Sequence, residues 1–144
     1  MEDKKLLQLV SEIGFDMLSY GGEIYRVEET VKRICFAYGM DGVDVFAIPT
    51  TIIVSITRQD ETYSRTRRLA SKGTDLDKVD RLNNLSRRLC REKPDYDLAK
   101  EWLRQIRSGL EYPLWMLCCA HGAAALIFAL FFGGSWKDGI WAFP

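Results

Sequence analysis

Apolar residues recur at helical spacing from the start of the chain. Leu6, Val10, Ile13 and Met17 follow one another at intervals of four and three, and Leu7, Leu9 and Leu18 widen the stripe. This predicts an amphipathic helix with a broad buried face. Gly21-Gly22 suits its end, because glycine enters the left-handed conformation without a steric penalty. A second helix is predicted from about Glu23 to Tyr38, with Ile24, Val27, Val31, Ile34 and Tyr38 on its buried side and Gly39 as its stop.

The period then changes. Val43–Ile48 and Thr51–Thr57 are rich in β-branched residues and are separated by Pro49-Thr50, the pattern of two strands joined by a turn. Gln59-Asp60-Glu61 reads as the next turn and Thr62–Arg68 as a third strand, giving an antiparallel meander. Thr74-Asp75-Leu76-Asp77 resembles a capping box in which Thr74 caps the following helix. Leu76, Val79, Leu82, Leu85 and Leu89 carry that helix to about Arg91. Lys93-Pro94-Asp95 interrupts the pattern. A last helix, from about Tyr96 to Ser108, places Leu98, Trp102 and Ile106 on one side. The expected fold class is α+β, with helices packed on a small antiparallel sheet.

Beyond Pro113 the character of the chain changes again. Leu114–Phe132 contains no Asp, Glu, Lys or Arg. A run of about 20 apolar residues matches the roughly 30 Å hydrocarbon core of a bilayer, so a transmembrane α-helix is expected to follow the folded domain. The expected organisation is residues 1–112 as an α+β domain, 113–133 as the span, and 134–144 as a short loop and the start of a truncated second span. Tyr112, Trp115 and Trp136 are placed to anchor the interfaces. Arg91, Lys93, Lys100, Arg104 and Arg107 precede the span and only Lys137 follows it. The positive-inside rule therefore puts the N-terminal domain in the cytoplasm and the chain in the inner (plasma) membrane, with membrane lipid as a partner.

Composition alters this picture little. The 20 basic and 20 acidic residues balance, so no basic excess points to nucleic acid. The opening Met1-Glu2-Asp3-Lys4-Lys5 lacks the apolar stretch of a cleaved signal peptide. Cys118-Cys119 beside His121 has the wrong spacing for a zinc site, and Cys35 and Cys90 add no second ligand pair. No metal or other cofactor is expected. The single histidine lies in the apolar segment, which leaves a hydrolytic triad without a base. Phosphate-binding and dinucleotide fingerprints are absent, so no enzyme activity is expected.

Four residues remain as substrate or gating candidates. His121 is an ionisable group in a span, a costly placement that often marks a pathway. Glu23, Arg26 and Glu28 open the second helix, where Glu23 and Arg26 can pair across three residues and Glu28, with Glu29, equally suits a solvated face. Ala120, Gly122 and Ala124, with Gly133 and Gly134, offer small surfaces for helix packing. Arg65, Arg67 and Arg68 suit either an anionic ligand or a solvated sheet edge.

Taken in order, Gly21-Gly22-Glu23-Ile24-Tyr25-Arg26-Val27-Glu28, Ala37-Tyr38-Gly39, Pro49-Thr50-Thr51-Ile52, Gly73-Thr74-Asp75-Leu76-Asp77-Lys78 and Phe131-Phe132-Gly133-Gly134-Ser135-Trp136 resemble the threonine/serine exporter family over nearly the whole chain. The resemblance implies secondary-active export of small polar metabolites, threonine and serine foremost. It also implies a homo-oligomer, or a second membrane subunit supplying further spans. A split branch of the family is associated with dicarboxylate (succinate-type) export. A cytoplasmic ligand-binding module tethered to the membrane is the alternative reading of the first domain.

Overall fold

The structure, a computed structural model, describes residues 1–109 and 113–133. The expected loop and second span at 134–144, Gly134 with them, lie outside the described residues, as does Tyr112. The chain divides into two compact units, Met1–Gly109 and Leu110–Pro144.

In the first unit, α1 (Asp3–Ser19) is the central element. It packs on α2, on two of the strands and on both later helices. Its stripe extends almost around the helix, with Leu6, Leu9, Val10, Ile13, Met17 and Leu18 all fully buried. Gly14 makes this possible, since a Cβ there would lie 2.6 Å from Ile52 Cδ1 and 3.0 Å from Val31 Cγ2. The helix ends as expected at Gly21 (φ 89°): its N–H donates to Leu18 O, and Gly22 N–H donates to Met17 O. These are the paired bonds of a Schellman motif. Helix α2 (Ile24–Ala37) ends the same way at Gly39.

Strands β1 (Gly42–Ile48), β2 (Thr51–Arg58) and β3 (Glu61–Arg68) form an antiparallel sheet in the order β1-β2-β3. Both connections are two-residue turns, with Ile48 opposite Thr51 and Arg58 opposite Glu61. Glu61 thus belongs to the strand and not to the turn. Gln59 and Asp60 both have positive φ, the geometry that matches the right-handed twist of a hairpin. Val45, Ala47, Ile52, Val54 and Ile56 face the helices, and Phe46 and Ile48 lie on the open face.

The segment after β3 is pinned to the end of α1, where Ser19 O accepts from Gly73 N–H and Tyr20 O from Asp75 N–H. Helix α3 (Leu76–Glu92) follows, capped by Asp75, whose carboxylate accepts from Lys78 N–H at 3.1 Å. This corrects the expectation of a Thr74 cap: Asp75 is the residue immediately before the first helical turn. Lys93 adopts a left-handed conformation ahead of Pro94, and Asp95 caps α4 (Tyr96–Arg107). The buried face of α4 is Ala99 and Leu103, with Trp102 and Ile106 half-buried, while Leu98 is exposed. Leu76 is exposed as well, because the buried face of α3 runs through Lys78, Leu82, Leu85 and Leu89.

In the second unit, α5 spans Leu114–Phe131 and carries no charged residue. Its 18 residues rise about 27 Å, slightly short of a hydrocarbon core of about 30 Å. Among the described residues, no helix is long and apolar enough to cross a membrane.

Candidate functional site

Glu23 occupies the extended position before α2, but its side chain makes no capping bond. Its carboxylate pairs with Arg26 Nε at 3.1 Å, and both side chains are more than half exposed. Arg26 Nε also donates to the Tyr25 hydroxyl at 3.1 Å. Glu28 serves elsewhere: its Oε1 accepts the backbone N–H of Ala47 at 2.8 Å, fastening α2 to the outer strand β1.

Arg26 opens onto a cleft of about 340 Å³ between α2 and α3, lined also by Met17, Tyr25, Glu29, Thr30, Arg33, Val79, Asn83 and Arg87. The spacing of Arg26, Thr30 and Arg33 puts all three on one face of α2, and Asn83 and Arg87 stand one turn apart on α3. Arg33 is held by its Nη2, which donates to Ser86 Oγ at 3.0 Å and to Asn83 Oδ1 at 3.5 Å. Its Nη1 lies 4.0 Å from Glu29. Its Nε is buried and has no hydrogen-bond partner among the described residues.

A second polar constellation lies on another face of α1. Glu12 and Asp16, one turn apart, are buried at 4% and 6% exposure. Lys100 from α4 donates to Glu12. Arg107, two turns further along α4, reaches both acids, with Nη2 3.3 Å from Glu12 and Nε 2.6 Å from Asp16. Arg67 from β3 completes the set, 3.4 Å from Glu12 and over the ring of Phe15. The arginine cluster of β3 is therefore divided. The register puts Arg65 and Arg67 on the helix side of the sheet and Arg68 on the open side.

The electrostatics of the two acids differ. Burial works to raise the Glu12 carboxyl, but hydrogen bonds from Lys100 and Gln8 and the charges of Lys100 and Arg107 hold it below its ordinary value. Burial wins at Asp16, whose carboxyl is pushed above its ordinary value despite the bond from Arg107. Cys35, on the buried face of α2, has its thiol pushed up to about 12 by burial, so it is inert as a nucleophile.

In α5, His121 Nδ1 is 2.7 Å from Leu117 O, one turn back on its own helix. Ala120 and Ala124 are a helical turn apart on that helix, and Gly133 follows its end with φ 83°.

A family model described as "Putative threonine/serine exporter" matches residues 8–144. The chain belongs to this exporter family. Among curated relatives it is 24% identical over 142 residues to "Probable succinate transporter subunit YjjP" of Klebsiella aerogenes, covering 99% of this chain and 55% of that protein. The Escherichia coli K12 protein of the same description is 22% identical over the same coverage. "Probable threonine/serine exporter" of Mycobacterium tuberculosis is 27% identical over 139 residues, which cover 94% of this chain and 26% of that protein. The chain thus spans about half the length of the first two relatives and about a quarter of the third. No solved structure matches it at a significant level.

Of the residues singled out in the sequence of this exporter-family chain, the structure brings together Glu23 and Arg26 and sets Arg26 on the cleft. Glu28 is committed to β1, and His121 belongs to the other unit. The sequence reading missed Arg33, Asn83 and Arg87. It also missed the set formed by Glu12, Asp16, Arg67, Lys100 and Arg107. A signal was present in α1, where two acids one turn apart interrupt the mostly apolar run from Leu9 to Leu18.

Proposed function

We propose that the chain is the N-terminal part, or one subunit, of a secondary-active exporter of small polar metabolites, with threonine and serine as the first substrates to test. Family membership over residues 8–144 carries this reading. In it, α5 is a membrane helix, and a helix a few ångströms short of the hydrocarbon core is accommodated by local thinning of the bilayer. The reading puts the first unit in the cytoplasm, with the cations that precede α5 as its support. One membrane helix cannot enclose a substrate site between repeats, so in this reading further spans complete the pathway, whether from the rest of a longer chain, from further copies or from a second membrane subunit. His121, an ionisable group in the span, and the Glu23–Arg26 pair are the residues of this chain proposed for gating or substrate contact.

A second substrate reading, dicarboxylate export, draws on the succinate transporter subunits, which are matched over 99% of this chain. Insertion and orientation are tested with Ser71→Cys in a background in which the native cysteines are alanine. The reading predicts that the chain stays in the membrane pellet after alkaline carbonate extraction. It also predicts that an impermeant maleimide labels the introduced thiol only after the cells are opened. Release into the supernatant, or labelling in intact cells, contradicts it.

A further inference from the structure

The two edges of the sheet are not alike. The outer edge of β1 is interrupted, because the Ala47 N–H that points away from β2 is already bound by Glu28 Oε1 at 2.8 Å. The outer edge of β3 carries no such block. Arg58 opposite Glu61 closes a two-residue turn, so Tyr63, Arg65 and Arg67 turn their backbone groups toward β2, and Thr62, Ser64 and Thr66 turn theirs outward. Among the described residues no other backbone group bonds to them there, and all three residues are exposed. Arg65 is exposed as well, although it lies on the helix side, so no helix of the first unit covers it. An open edge of this kind is a template for a further strand.

The charges along this edge say which strand fits. It begins acidic, with Asp60 and Glu61, and ends basic, with Arg67 and Arg68. The ion pairs of the hairpin engage Arg58 and Arg67, and Asp60, Arg65 and Arg68 have no ion-pair partner among the described residues. Antiparallel pairing with the same strand of a second copy reverses the order of charges. With the two-fold axis at Ser64, Asp60 of each copy lies beside Arg68 of the other, Thr62 beside Thr66, and Arg65 beside Tyr63. Moving the axis to Arg65 would set two arginines face to face and draw the acids away from Arg68, so the charges select one register. Ser64 already shares a hydrogen bond with Ser55, 2.6 Å between their hydroxyls, and the axis carries this hydroxyl row across both copies.

We propose that two copies of this chain join β3 to β3 in the antiparallel register centred on Ser64, making one continuous sheet. About six backbone hydrogen bonds close the seam. The inference does not rest on the exporter reading, because the contact is measured on the purified chain without any transport.

The test is disulfide cross-linking of the full chain in detergent micelles under mild oxidation, with the native cysteines changed to alanine. Facing residues of a hydrogen-bonded pair have Cα atoms about 5.5 Å apart, within the reach of a disulfide. Ser64→Cys, at an exposed position, is expected to give a cross-linked dimer. Thr62→Cys and Thr66→Cys are each expected to give little dimer alone and to cross-link to one another when coexpressed. Adding Arg68→Glu to Ser64→Cys is expected to slow cross-linking about fivefold or more, with the circular dichroism of the chain unchanged. Thr66→Cys alone cross-linking as fast as Ser64→Cys would overturn the register, and a rate unaffected by Arg68→Glu would overturn the charge pairing. No cross-link at Ser64→Cys would overturn the proposal; if that thiol were also shielded from maleimide, a strand other than a second β3 would cover the edge.

Discussion

Replacing Glu12 by glutamine removes one negative charge from beneath three cations while keeping the side-chain volume and one carbonyl acceptor. Lys100, Arg107 and Arg67 all converge on that carboxylate, and Glu12 itself is 4% exposed. Breaking a fully buried pair from one side costs roughly 3–5 kcal/mol, because it strands the remaining charge. Here the three cations keep between 25% and 37% exposure, so water recovers part of that loss. A destabilisation of about 2 kcal/mol is expected, a substantial fraction of the roughly 5–15 kcal/mol that holds a domain together. Urea unfolding followed by the fluorescence of Trp102, with Trp115, Trp136 and Trp141 changed to phenylalanine, reads the first unit. The pH dependence supplies an independent check. The folded protein holds the Glu12 carboxyl below its ordinary 4.5, so its contribution is complete above that pH. It is lost as the pH falls through the folded value, where the unfolded chain takes up the proton first. The glutamine variant should lack this acid limb. A loss below about 0.5 kcal/mol at pH 7, within the range of ordinary surface changes, or an unchanged acid limb, would refute the reasoning.

Asp16→Asn should behave differently, because burial holds the Asp16 carboxyl above its ordinary 3.8. That contribution is full at acid pH and lost as the pH rises through the folded value, so the amide should stay within about 1 kcal/mol of the parent at pH 7 and fall behind it in acid, measured by the same unfolding curves. Glu28→Ala leaves the Ala47 N–H without its acceptor and should cost about 1–2 kcal/mol, with faster hydrogen exchange at the Ala47 amide as the local readout. Gly14→Ala sets the strain of a Cβ 2.6 Å from Ile52 Cδ1 against the better helix propensity of alanine, for a net loss of about 1 kcal/mol; adding Ile52→Val should restore most of it. Glu23→Gln removes an exposed pair and should leave the unfolding midpoint unchanged, so any loss of transport in the complete exporter would report function rather than folding.

Local elements were legible wherever one physical signal dominated. The α1 stripe, the glycines that end α1 and α2, and the β-branched runs around Pro49-Thr50 each name their own structure. The misplaced details came from close competitors. Thr74 and Asp75 are both good caps, and only the start of α3 decides between them. Leu98 and Leu76 sit on plausible helical stripes, yet the buried face of α4 is set by Ala99 and Leu103 and that of α3 by Leu82, Leu85 and Leu89, and both leucines fall outside it. The charged sites were not legible, because their partners come from distant parts of the chain. Lys100 meets Glu12 across 88 residues, and Arg107 meets Asp16 across 91. Periodicity identifies the face of one helix and carries no information about which charged face will oppose it. The arginines of the cleft are hidden in the same way, each reading alone as an exposed cation until α2 and α3 are set side by side.

The central claim, that this exporter-family chain works in the export of small polar metabolites, is tested most directly by its removal. The coding sequence would be deleted in the source cell and export measured from cells preloaded with labelled threonine, serine or succinate, with and without the chain supplied in trans. The account predicts that export of at least one of the three falls on deletion and returns when the chain is restored. Export of all three at the parental rate in the deleted cells would contradict it.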